Sequence, residues 1–190
     1  AYDRLKIPYI WQDKTPLPFV TDGAIGVTEQ AQFHPLKLLK ELAKTFSYYE
    51  NTKVLDIQEQ KAITDKGYIT AKKIVLTTHF PMVNIPGIYF AKLTQRRSYV
   101  LSLEHGPNLD GMYIDESDSG FSFRTYKDML LLGGGGRKTA EKAGGFLPLR
   151  QLATEAYPEL IISHAWSAQD CMPIDQMPYI GRHSKGKPYL

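Results

Sequence analysis

The sequence is short of cysteine, and that shortage excludes several kinds of protein. Cys171 is the only cysteine among the 190 residues, so the chain has no intrachain disulfide and no Cys-x-x-Cys metal or redox pair. This composition suits a reducing compartment, and we expect a cytoplasmic protein. The five histidines have no short ligand spacing, so no metal site is expected.

An excess of charge of one sign and long hydrophobic runs are also missing. Lys and Arg number 23 against 20 Asp and Glu, a net charge of +3, and the longest basic runs are pairs such as Lys72-Lys73. A nucleic-acid partner is therefore not expected. No apolar run approaches the roughly 18 residues of a membrane span, and no signal peptide is recognisable.

The glycine run Gly133–Gly136 departs from the two common phosphate-binding motifs. A phosphate loop needs Gly directly before its Lys, and Arg137 stands there. A dinucleotide fingerprint fails because Lys138 or Thr139 falls where its third Gly belongs. Two explanations stay open: a bulged strand end, or a close approach of this backbone to another backbone or a ligand.

Hydrophobic periodicity predicts the elements of the first part of the chain. Apolar residues at helical spacing, with Pro35 in the first turn, indicate an amphipathic helix. The continuous apolar run that ends at Thr78 indicates a strand covered on both faces. The predicted elements are a weak strand at 24–33, the helix at 35–46, a meander at 53–58, 61–64 and 68–71, and the covered strand at 74–78.

The second part of the chain is predicted to be strand-rich, with the β-branched, aromatic and turn composition of an antiparallel sheet. One amphipathic helix interrupts it, and Pro158 ends that helix. The predicted elements are strands at 98–103, 111–115, 120–126 and 129–133, the helix at 147–157 and a last strand at 161–169. The fold class expected is α+β.

Arg124 and Tyr126 alternate with apolar residues along one predicted strand, and Tyr113 could join them from the preceding strand. An Arg flanked by tyrosines on a sheet can clamp a carboxylate substrate. A solvated sheet face explains the same residues, so both explanations stay open. His79 follows the apolar strand, at a position where α/β sheets commonly bind ligands, although a structural histidine is also possible there.

The most specific motif lies at residues 166–182, WSAQDCMPIDQMPYIGR. It resembles the tryptophan-to-D-x-x-P-x-I-G signature of the substrate domain in FAD-dependent oxidoreductases of the D-amino-acid oxidase and glycine oxidase superfamily. Looser resemblances follow the family's order at Phe33-His34-Pro35, Thr52-Lys53-Val54 and Ile74–Thr78. Within the superfamily, the chain most resembles γ-glutamylputrescine oxidoreductases and FAD oxidoreductases that carry a Rieske iron–sulfur domain.

The resemblance implies a fold and a reaction. Residues 81–190 would form a largely antiparallel substrate domain with packed helices, and residues 1–80 a lead-in and an incomplete part of the FAD-binding α/β domain. The complete protein would oxidise an amine or amino acid by hydride transfer to FAD, giving an imine. Hydride transfer demands no dedicated base, so no catalytic residue is assigned. Substrate binding is implied for Arg97, Tyr113, Arg124 and Tyr126, and cofactor binding for Val54, Thr77, Thr78, His79, Gly134 and Gly181.

Two departures from the family limit what is expected of this chain. Thr77-Thr78-His79 stands where the family usually has Ala-x-Gly, and the strand–GxGxxG–helix unit that holds the ADP moiety is absent. We therefore expect a fragment that binds FAD weakly or not at all, is inactive in isolation, and partners the remainder of its own chain. The alternative function is a non-enzymatic α+β module that binds a small acidic ligand or a protein.

Overall fold

The structure, a computed structural model, describes residues 2–84, 87–117, 120–139, 141 and 145–182. The chain divides into two compact units, Ala1–Lys72 and Lys73–Leu190. Antiparallel sheets dominate and helices are few, which confirms the expected α+β class. Within the described residues, no helix is both long and apolar enough to cross a membrane.

The first unit contains two small antiparallel sheets, β1-β2 and β3-β4-β5. Its elements are α1 Tyr2–Leu5, β1 Ile10–Gln12, β2 Ala24–Gly26, α2 Pro35–Leu42, β3 Val54–Gln58, β4 Lys61–Thr64 and β5 Gly67–Thr70. The predicted meander is confirmed. The strand predicted at 24–33 is wrong beyond Gly26, because Glu29 has a φ of 58° that an extended strand cannot accommodate.

Helix α2 begins where the sequence predicts. The His34 side chain caps it by accepting a hydrogen bond from the Lys37 amide at 3.4 Å, and Pro35 occupies the first turn. A short 3₁₀ turn, Ala43–Thr45, continues it almost to the predicted end. None of its residues is buried, so its apolar face is exposed.

The covered strand predicted at 74–78 is wrong. Val75 forms a single bridge and is 63% exposed, and Thr77 and Thr78 are exposed as well. No strand of the described residues forms a ladder along this segment, and only Ile74 and Leu76 of the run are half-buried.

The second unit is built on a five-stranded antiparallel sheet in the order β10-β6-β9-β8-β7. Its elements are β6 Leu93–Glu104, β7 Met112–Ile114, β8 Ser122–Tyr126, β9 Met129–Lys138, α3 Leu147–Ala156 and β10 Ile162–Pro173. Every predicted element of this part is present. Strands β6, β9 and β10 run past their predicted ends because they pair with one another through polar stretches that carry no strand signal.

One face of this sheet, which we call the closed face, holds the core. Its members alternate along the strands and are at most 3% exposed: Leu101, Leu103, Phe123, Leu130 and Leu132. Helix α3 packs against β6 and β9, burying Leu149 and Ala153. The ring of Phe146, just before α3, meets Tyr99 edge-on at 4.9 Å between centroids.

The glycine run forms a bulge in β9 and also passes close to another backbone, so both sequence explanations are met. The register between β6 and β9 shifts between Arg97 and Tyr99. Gly134 and Gly135 have φ values of 148° and 62°, which side chains rarely adopt. A Cβ on Gly134 would lie 2.8 Å from both the Gly120 carbonyl oxygen and Phe121 Cδ1, so another backbone approaches closely here.

Candidate functional site

The opposite face of the five-stranded sheet, which we call the open face, carries polar and aromatic side chains. Arg124 pairs with Met112 and Leu131, and Tyr126 pairs with Met129, so Arg124 and Tyr126 project to the same side, as predicted. Arg124 and Met112 are exposed. This face therefore presents a guanidinium and a phenol on neighbouring positions of one strand.

Arg124 makes no hydrogen bond or ion pair that the structure records with a described residue, and the Lys127 ammonium lies 5.7 Å from the centre of the Tyr126 ring. Arg124 is the middle residue of β8, and Lys127 directly follows its last residue. A guanidinium in this setting can accept a carboxylate through two parallel hydrogen bonds.

The register separates the other two residues predicted to bind substrate from Arg124. Tyr113 pairs with Phe123 and so lies on the closed face, where its hydroxyl donates to the Leu109 carbonyl at 3.5 Å. The prediction that Tyr113 shares a face with Arg124 is therefore wrong. Arg97 alternates with Tyr99 on that same side and donates to Gln169 Oε1 at 3.3 Å.

Strand β10 contributes two open-face residues that the sequence analysis missed. Trp166 pairs with Val100 and His164 pairs with Ser102, and Trp166 is 43% exposed. The signal was available: both occupy alternate positions of a predicted strand, so they must share a face. Which face it was could be read only from the pairing with β6.

A cavity of about 440 Å³ lies within the second unit. Its lining joins the segment 76–81, the end of β10 at 171–173 and the following turn, together with Tyr89 and Leu93. Thr77, Thr78 and His79, all predicted to bind cofactor, meet here. Cys171 also lines the cavity, half-buried.

His79 is held in this cavity by two sets of contacts. Its backbone has a φ of 63°, and the Phe80 amide donates to the Thr78 carbonyl at 2.7 Å across it. Its ring Nε2 lies 3.0 Å from the main-chain carbonyl oxygen of Gln169 in β10. The Gln169 side chain donates in turn to Gln95 Oε1 at 2.6 Å.

The remaining residues predicted to bind cofactor are not among the residues that line this cavity. Val54 begins β3 in the first unit. Gly134 belongs to the β9 bulge and does not line the cavity, and a Cβ on Gly181 would meet nothing within 4 Å. The structure therefore brings Thr77–His79 together with 171–179, and leaves the glycine run apart from them. The cofactor role of each residue stays a prediction.

Comparison with known proteins shows the protein family to which the chain belongs. The sequence profile of the family described as DAO, FAD dependent oxidoreductase, matches residues 8–189. The chain therefore belongs to the FAD-dependent oxidoreductase family, and the resemblance noted in the sequence is confirmed.

One curated protein and two solved structures are similar to this chain. The chain is 31% identical over 206 residues to the Bacillus subtilis (strain 168) protein YhfW, whose name describes a Rieske 2Fe-2S iron-sulfur protein. Glycine oxidase from Geobacillus kaustophilus superposes with a TM-score of 0.78 over 99% of this chain at 18% identity. L-proline dehydrogenase from P. horikoshii gives 0.56 over 74% at 18% identity, covering 43% of that chain. The chain spans 40% of YhfW and 58% of the glycine oxidase.

The cavity's chemistry fits part of the cofactor that this family uses. Its walls are mostly apolar, and the hydroxyls of Thr77 and Thr78 and the imidazole of His79 supply a few polar groups. Such a lining suits a flat heteroaromatic ring with polar edge atoms. None of the described residues that line it is a Lys or an Arg, so its described lining offers no cation to a phosphate.

Proposed function

We propose that this chain supplies the substrate-binding face, and part of the flavin-binding wall, of an FAD-dependent oxidoreductase that oxidises an amino acid or a related amine. Residues 81–190 would be the substrate domain and 1–80 part of the cofactor domain. The observation that carries the proposal is Arg124, exposed near Tyr126 on the open face, with no ion pair to any residue that the structure describes.

The residues of this chain would bind and orient the substrate. The Arg124 guanidinium would hold a substrate carboxylate through two hydrogen bonds, and the Tyr126 phenol adds a directional contact from two positions along β8. FAD, when bound, supplies the hydride acceptor. Fixing one end of a small substrate limits the orientations of its α-carbon, which is the contribution that a positioning surface makes to the rate.

The names of two similar structures support a substrate with a carboxylate. Two of the superposed structures are named for glycine and L-proline, which both carry a carboxylate beside the nitrogen. The α+β alternative without catalysis has no comparable support, because the family match extends over 8–189.

Substitution of Arg124 in the complete protein tests the proposal. Arg124→Ala should raise KM for an amino-acid substrate about 100-fold, because a charge-assisted pair contributes roughly 1.5–3 kcal/mol. Steady-state deamination assays would measure it, with the decarboxylated amine as a second substrate whose KM should not change.

Arg150→Ala is the matched control, because Arg150 is also an exposed arginine. It belongs to α3, which packs on the closed face, so it is not part of the open face. An unchanged KM in Arg124→Ala would reject the carboxylate role. Equal losses for the amino acid and the amine would reject it too.

A further inference from the structure

We propose that the His79 imidazole is a fixed hydrogen-bond acceptor for the ring N–H of the flavin, and that Gln169 is the positioning residue that fixes it. This inference rests on the proposed function, since it takes the cavity at 76–81 and 171–179 to receive the flavin ring.

The contact with Gln169 decides which ring nitrogen carries the proton. His79 Nε2 lies 3.0 Å from the Gln169 carbonyl oxygen, and a carbonyl oxygen can only accept. Nε2 must therefore donate, and in the neutral imidazole Nδ1 is left with its lone pair. No hydrogen bond of Nδ1 to a described residue is recorded. The ring can thus offer an acceptor to a ligand.

The backbone at His79 is strained in a way that glycine would relieve. A φ of 63°, with the Phe80 amide bonded to the Thr78 carbonyl, is a tight γ-turn. The Thr78 hydroxyl also donates to the Phe80 carbonyl, at 2.8 Å. A left-handed conformation is unfavourable for a residue with a Cβ, because the Cβ comes too close to the following carbonyl oxygen. Strain of this kind clusters at ligand clamps, where surrounding contacts maintain it.

Gln169 is itself held in place. Strand β10 lies at the edge of the sheet, so its outward carbonyl groups have no partner strand among the described residues. The His79 ring contacts one of these carbonyl groups. The Gln169 side chain bridges β10 to β6, donating to Gln95 and accepting from Arg97. These contacts keep the 169 carbonyl where His79 needs it.

The lining of the cavity selects the ring of the cofactor over its phosphates. Apolar and aromatic surface comes from Tyr89, Leu93, Met172 and Tyr179, and no Lys or Arg is among the described lining residues. An oxidised isoalloxazine ring carries one ring N–H, at N3, and this donor matches an imidazole that can only accept at Nδ1.

The test compares two amides that each replace one ring nitrogen. In His79→Asn the amide oxygen can stand near the position of Nδ1, whereas in His79→Gln the longer amide reaches the position of Nε2. Dissociation constants of FAD, riboflavin and ADP would be measured by fluorescence on the complete protein. His79→Ala and His79→Gln should weaken FAD and riboflavin about tenfold, His79→Asn should stay within about threefold, and ADP should not change.

His105→Ala is the matched control, because His105 is an exposed histidine with a φ of 57° that does not line the cavity. Nitrogen-15 NMR of the wild-type ring should show the proton on Nε2, and a proton on Nδ1 in the neutral ring would overturn the inference without any variant. Tight flavin binding by His79→Ala, or rescue by Gln instead of Asn, would overturn it and leave the proposed function intact. A complete wild-type protein that binds no FAD would overturn both.

Discussion

The two faces of the five-stranded sheet follow the same alternating pattern and end in different roles. On the closed face, Leu101, Leu130 and Leu132 have no exposed surface, and α3 packs against the two strands that carry them. On the open face, Ile114 is 83% exposed and Arg124 is exposed beside it on the next strand. Alternation alone therefore does not tell which face is core. The helix that packs on the sheet decides it, and the other face stays exposed at Ile114 and Arg124.

The largest effect is expected where the two faces differ most in burial. Leu132→Ala should lower the free energy of unfolding by about 2–5 kcal/mol, because it removes buried methyl groups and leaves a cavity under α3. Ile114→Ala, on the open face, should change it by about 0.5 kcal/mol or less. Urea unfolding followed by circular dichroism would measure both. Similar losses for the two variants would break the distinction between the faces.

A smaller but sharp effect is expected at the bulge that sets which side chains of β9 reach each face. Gly134→Ala should lower the free energy of unfolding by about 1–3 kcal/mol, because the φ of 148° disfavours a side chain and the new Cβ would collide with Gly120 and Phe121. Gly136→Ala is the matched control from the same run. Its Cβ would meet Ser98 Oγ at an ordinary 3.6 Å, so its unfolding midpoint in urea should stay near that of the wild type.

The strands and helices of the second unit could be predicted because their signals are local. Alternation, turn residues and Pro158 predicted all six elements between Leu93 and Pro173. The strand at 74–78 failed for the opposite reason. A continuous apolar run predicts burial only if other strands cover it, and such partners are not a property of the run itself.

The site was only partly predictable, because the face of the sheet on which a side chain lies depends on the register of strand pairing. Arg124 and Tyr126 lie two apart on one strand, so their common face follows from the sequence. Tyr113 lies on another strand, and its pairing with Phe123 turns it to the closed face. The link between His79 and Gln169 spans 90 residues, and no local pattern contains it.

The smallest expected effect concerns a polar atom trapped on the closed side. The Tyr157 hydroxyl, at the end of α3, is buried with no hydrogen-bond partner in the described part of the chain. Tyr157→Phe should therefore raise the free energy of unfolding by about 1 kcal/mol, whereas Tyr49→Phe, at an 81% exposed tyrosine, should leave it unchanged.

The pH dependence separates this explanation from a simple change in packing. Burial raises the pKa of Tyr157 above its ordinary value, so the folded state keeps the phenol proton longer than the unfolded state. The contribution of this raised pKa to the free energy of unfolding is fully present below about pH 10, the ordinary tyrosine pKa. It is lost as the pH rises from there through the pKa of the folded state. Urea unfolding would be measured between about pH 8 and 11, a range that brackets the ordinary tyrosine pKa of about 10. The free energy of unfolding should decline with pH less steeply in Tyr157→Phe than in the wild type. An equal decline in both proteins would mean that water reaches the hydroxyl and that the closed face is less closed there than its leucines indicate.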